Sequence, residues 1–213
     1  GNKLVPLATD DTHSPRAIGM GWIMVGAKEL SYPAVIEALE KGDLYDIYVA
    51  AEGGVCPPAN AEKLFAEMPA LSRINFGDAF CTDRVTNMSG MFSGCKSLTE
   101  LDVSGFDTSV VTDMSYLFYG CEKLTDLKLD QWDTSCVTNM EYMFAVCESI
   151  EKLLLAGFDT GAVTNMCSMF ASCKKIEMLD LSNFDTSGVS NMGAMFSRCS
   201  GLTALDVSSF DTS

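Results

Sequence analysis

The chain has 213 residues, 47% of them hydrophobic, which is enough for one or two domains with a real core. Its formal net charge of -15 argues against a nucleic acid or an anionic membrane as partner, because both repel it at long range. The most apolar early stretch, Ile18–Val25, is too short to span a bilayer and is interrupted by Gly19 and Gly21, so no transmembrane segment is expected.

The sequence opens Gly1-Asn2-Lys3 with no export signal in view, and a trimmed chain is expected. Ser31 through Lys41, with Val35, Ile36 and Leu39 apolar and Gly42 closing it, predicts a short amphipathic helix. Ile47-Tyr48-Val49-Ala50 predicts a strand, and Glu52 to Asn60 a Gly/Pro-rich loop. Residues 1–59 are therefore expected to form an N-terminal cap and leader.

From Asn87 onward, five blocks align without a gap on Asn87-Met88, Asp113-Met114, Asn139-Met140, Asn165-Met166 and Asn191-Met192, a period of 26 residues. The pattern is N-M-x-x-M-F-x-x-C-x-x-L-x-x-L-D-L-S-x-F-D-T-S-x-V-T. Leu64-Phe65, Leu71, Ile74 and Phe76 echo it with one extra residue, so residues 60–86 read as a degenerate first repeat. Met88, Met91, Phe92 and Cys95 fall at i, i+3, i+4 and i+7, which predicts one face of a short helix. Thr86, Thr112, Thr138, Thr164 and Ser190 precede that face, where a hydroxyl is expected to cap the first turn. Leu98, Leu101 and Val103 then follow the L-x-x-L-x-L strand spacing of leucine-rich repeats, with Leu101 and Val103 inward. Phe106 returns the chain to the core, and Asp-Thr-Ser forms a turn cluster. A lone repeat cannot cover both of its own faces, so the repeats must stack. The expected fold is an α/β leucine-rich-repeat solenoid, a right-handed superhelix over residues 60–213, behind the N-terminal cap. The fifth repeat stops incomplete at Asp211-Thr212-Ser213 with no cap, so a longer array, or end-to-end contact with another chain, is expected there.

The string Val137-Thr138-Asn139-Met140-x-x-Met143-Phe144-x-x-Cys147, with the F-D-T-S turns, resembles the bacterial surface-protein leucine-rich repeats of the BspA-like type. The resemblance covers Asn87 to Ser213 and reaches back to the Ile47–Val55 segment. It implies an extracytoplasmic, surface-attached bacterial protein, with adhesion or host-factor binding in some members, and it supplies no ligand.

The ladders that repeat throughout are best read as scaffold. Cys95, Cys121, Cys147, Cys173 and Cys199 are spread along an axis, which suits packing rather than a metal site, where ligands converge. Of the other cysteines, Cys56 and Cys81 could meet in the first coils, while Cys136 and Cys167 are harder to pair; at most one disulfide is expected. The methionine column led by Met88 reads as packing in the same way. Asp107, Asp133, Asp159, Asp185 and Asp211 read as turn-formers; a row of calcium ions is the sharper alternative, but the Gly-rich nonapeptide it needs is missing. No cofactor, metal or catalytic residue is expected. His13 is the only histidine, and no nucleophile has a base in view.

Information about function lies where repeats depart from the rule. On the outward strand positions, Asp126, Lys128, Lys152, Leu154 and Met178 predict a mixed cationic and apolar patch on an acidic concave sheet. Tyr116, Tyr119 and Tyr142 occupy variable positions in adjacent repeats and predict a second cluster, of a kind common at interfaces and on sugar-binding platforms. The expected function is a cell-surface binding or adhesion module for a protein or glycan. The alternatives are a structural spacer in a longer surface array and a calcium-dependent repeat module.

Overall fold

The computed structural model describes residues 3–7, 22–27, 45–50, 55–76 and 80–211. The helix expected over residues 31–41, and His13, lie outside them. Among the described residues there is no helix; the regular elements are strands β1 (Lys3–Leu7), β2 (Trp22–Ala27), β3 (Tyr45–Ala50), β4 (Leu71–Asn75), β5 (Glu100–Leu101), β6 (Met178–Leu179) and β7 (Ala204–Leu205).

The helix expected over Met88–Cys95 is replaced by turns. Met91 N–H donates to Met88 C=O and Cys95 N–H to Phe92 C=O, closing two consecutive four-residue turns. Their third residues, Gly90 and Gly94, have φ of 59° and 76°, the sign that type II turns require. Alternate N–H groups are thereby aimed at the next coil. Met88, Gly90, Phe92 and Gly94 donate to the carbonyls of Asp113, Ser115, Leu117 and Tyr119 at 2.8–3.0 Å. A helix would use those groups internally. Two turns return Met88, Met91, Phe92 and Cys95 to the core at the same spacing as a helical face, and Ser89, Gly90, Ser93 and Gly94 between them are poor helix formers.

The expected hydroxyl caps are likewise replaced. Thr112, Thr138, Thr164 and Ser190 each donate to the carbonyl of the equivalent residue one coil earlier, at 3.0–3.1 Å. The turn is secured instead by the first residue of the repeat. Asn87 Oδ1 accepts from Ser89 N–H at 2.8 Å, and Asp113, Asn139, Asn165 and Asn191 do the same in their repeats.

Each repeat is thus one coil, and the coils stack in parallel with bridges at Asn87↔Asp113, Asp113↔Asn139, Asn139↔Asn165 and Asn165↔Asn191. Asn60 bridges Asn87, 27 residues on, and Ile74 pairs with Leu101 at the same offset, while Thr82 and Thr108 are in the 26-residue register. The extra residue of the first repeat therefore lies between Ile74 and Thr82. At the N-terminal end, β1, β2 and β3 are antiparallel, and β3 runs parallel to β4, which pairs with β5. A disulfide joins Cys56 to Cys81 across Cα atoms 4.8 Å apart, beside the Val55↔Phe80 bridge.

The core is a set of side-chain columns. Phe65, Phe92, Phe118, Phe144, Phe170 and Phe196 stack with centroids 5.7–5.8 Å apart and planes within 15°. Met88, Met114, Met140 and Met166 are fully buried beside them, as are Leu98 and Val103 from the strand side.

Not every coil uses glycine in its turns. Val146, at the position of Gly94 and Gly120, has φ of 62°, and αL costs an ordinary L-residue roughly 1–2 kcal/mol, with β-branched residues least suited to it. Val146→Gly is expected to stabilise the protein by about 0.5–1 kcal/mol after the entropy of an added glycine is counted. Urea denaturation measures it; a clear loss of stability would show that the half-buried valine packs better than its backbone is strained.

Candidate functional site

The outward strand positions carry the first candidate. Alternation buries Leu127, Leu129, Leu153 and Leu155 and turns their neighbours out. Asp126, Lys128 and Lys152 are exposed, Leu154 is 56% exposed and Met178 70%. The latter two are the most exposed large hydrophobic side chains among the described residues. Lys128 and Asp126 sit on one coil, Lys152 and Leu154 on the next and Met178 on the third, so the five share one face across three consecutive coils. Among the described residues, neither lysine has a carboxylate within 4 Å, whereas Arg73 is paired with Glu100 at 2.9 Å and Lys175 with Glu151 at 3.7 Å. The lysine charges are felt nonetheless: Asp102 is held below the usual carboxylate range mainly by the Ser104 hydroxyl and N–H, with Lys128 adding to it. A shallow depression lined by Glu100, Asp102, Asp126 and Lys128 adjoins the patch.

The tyrosines form a real cluster. Tyr116 and Tyr142 stack at 4.9 Å with planes 12° apart, and Tyr119 lies 5.7 and 6.1 Å from them, edge-on at 62° and 74°. Tyr116 and Tyr142 are third residues of turns, with φ of 56° and 53°. Burial first, then the Glu141 carboxylate and the neighbouring phenols, push the Tyr116 hydroxyl above its ordinary pKa, so it stays protonated.

The recurrent ladders have structural partners. Each column thiol points at a carbonyl of the preceding coil: Cys95 donates to Phe65, Cys121 to Phe92, Cys147 to Phe118, Cys173 to Phe144 and Cys199 to Phe170, at 3.0–3.3 Å. Burial pushes Cys95 and Cys173 up to about 12, and Cys121 and Cys147 well above the ordinary value, which makes them poor nucleophiles. Asp107, Asp133 and Asp185 each accept from the N–H and hydroxyl of the serine two residues on, which holds their carboxyls below the usual range. Among the described residues no three His, Cys, Asp or Glu side chains gather as metal ligands.

One ladder leaves only a faint mark in the sequence. Thr82, Thr108, Thr134, Thr160 and Thr186 are buried, and each hydroxyl donates to the carbonyl of the aspartate before the next threonine in the column. Asp159, Asp185 and Asp211 N–H groups donate back to the threonine hydroxyls at 2.7–2.8 Å. The middle residue of Asp-Thr-Ser thus stitches coil to coil. Its only signal is that the position tolerates no serine, although the hydroxyl position before the asparagine does, at Ser190.

No curated protein and no solved structure matches the chain. The family described as "Mycoplasma protein of unknown function, DUF285" matches residues 59–156 and 121–213, two overlapping stretches that run from the first coil to the end of the sequence, and the chain belongs to that family.

Proposed function

We propose that the chain is a bacterial cell-surface leucine-rich-repeat solenoid of the BspA-like type that binds a protein or glycan through its strand face. In this reading, turns stand where other leucine-rich repeats carry a helix or a 3₁₀ segment. The observation that carries the binding site is the exposure of Leu154 and Met178 beside Lys128 and Lys152. Two apolar side chains held out in water in adjacent coils, with unpaired lysines beside them, suit the pattern of a small apolar interface centre with a polar, charged rim. The acidic surround steers partners of neutral or positive charge. A disulfide in the first coil supports an oxidising, extracytoplasmic location. Binding rather than catalysis is favoured by column thiols that are buried and protonated, and by Asp-Thr-Ser carboxylates already engaged in their own turns.

The test is surface adhesion of the purified chain to a panel of immobilised extracellular-matrix proteins and neutral oligosaccharides, with Leu154→Asp alongside. The variant should lose at least about tenfold in affinity, roughly 1.4 kcal/mol, while its stability moves by no more than about 0.5 kcal/mol, as for any exposed site. Undiminished adhesion by Leu154→Asp would remove the strand face from consideration, and no adhesion at all would favour a spacer role.

A further inference from the structure

We propose that Tyr116, Tyr119 and Tyr142 form a second site, an aromatic platform for an uncharged polysaccharide, independent of the strand-face patch. A ring roughly equidistant from both members of a stacked pair, and steeply inclined to both, lies beside the stack and covers part of its edges. The faces between the rings are therefore consumed, and a cation cannot be caged there as it is by rings that surround it. What is left is the outer faces and the phenol hydroxyls. An aromatic face is electron-rich and attracts polarised C–H bonds, such as those on the apolar side of a pyranose ring.

Polar groups for a sugar stand beside the rings. Glu141 is close enough to Tyr116 to shift its phenol, and its carboxylate is oriented by Asn165 Nδ2 at 3.2 Å. A positioned carboxylate and amide, beside the three phenol hydroxyls, offer acceptors and donors to neighbouring sugar hydroxyls. The charge selects against anionic glycans, since Glu141 stands beside the rings in a chain of net charge -15 and no cation acts on Tyr116.

The size of the patch separates a sugar from a protein. Along the columns the tyrosines are flanked by Gly90 and Ser168 on one line and by Ser93, Ala145 and Ala171 on the other. The aromatic surface ends after two coils. A stable protein interface needs about 800 Å² from each partner, whereas three rings suit one or two sugar units.

The test is native-gel affinity electrophoresis of the whole chain in laminarin, hydroxyethylcellulose or galactomannan, with heparin as the anionic control. Tyr116→Ser/Tyr142→Ser is the diagnostic variant, because Ser168 already occupies the equivalent position at φ 54°. At least one neutral polysaccharide should retard the wild type. The double variant should lose at least tenfold in apparent affinity with an unlowered melting temperature, and Leu154→Asp should still be retarded. Should the double variant melt early, Tyr119→Ser serves instead, since Ser93 fills that position one coil earlier. The proposal is overturned by no retardation in any of the three, by equal retardation of the folded tyrosine variants, or by heparin binding as tightly.

Discussion

Phe144→Ala should cost about 3–5 kcal/mol, the range for truncating a fully buried phenylalanine. Phe144 is wholly buried, and both of its faces are in contact, with Phe118 and Phe170 each 5.7 Å away. Neither neighbour can fill the void, because each is held in its own coil by backbone hydrogen bonds to the coils beside it. Phe144 C=O also accepts the Cys173 thiol and its N–H donates to Met169, so the coil cannot close up without breaking them. Phe196 supplies the control: it is only partly buried and stacks on one neighbour, Phe170. Phe196→Ala is expected to cost about half as much, as stability built from nearest-neighbour terms requires. Equilibrium denaturation of both variants decides the matter; equal costs would mean that the column does not act pairwise.

The same columns explain how much of the molecule is legible in the sequence. Repetition every 26 residues, with aromatic and apolar residues in register, requires equivalent residues to lie side by side, whatever the local backbone does. The tyrosine cluster and the exposure of Leu154 and Met178 follow from that register together with strand alternation. Local conformation is harder to read, because i, i+3, i+4, i+7 describes a helix and a pair of four-residue turns equally well. Gly90, Gly94 and Gly120 mark the turns, but Tyr142, Val146 and Arg198 hold the same left-handed positions and disguise them. Hydroxyl ladders are harder still. Whether Thr108 or Thr112 bonds within its own turn or to an adjacent coil depends on the neighbour's backbone, which only the stacked structure supplies.

The buried threonines allow the sharpest comparison of the two roles in Asp-Thr-Ser. Thr134→Val keeps the shape of the side chain and removes one donor and one acceptor. Its hydroxyl donates to Asp159 C=O and accepts from Asp159 N–H, both at 2.8 Å, and Thr134 is 1% exposed. The substitution leaves both Asp159 groups facing a methyl, and stranding a buried polar group costs about 1–3 kcal/mol, so a loss of about 2 kcal/mol is expected. Ser135→Ala removes only an exposed contact to Asp133 Oδ1, for which about 0.5 kcal/mol is expected. Were the triplet's side chains only a local turn device, the order would reverse, since the Asp133 and Ser135 side chains bond each other within the turn and the Thr134 side chain does not. Urea midpoints for the two variants separate the cases: a larger effect at Ser135 would return the triplet to a turn-forming role, and a larger effect at Thr134 makes it the polar seam that holds each coil to the next.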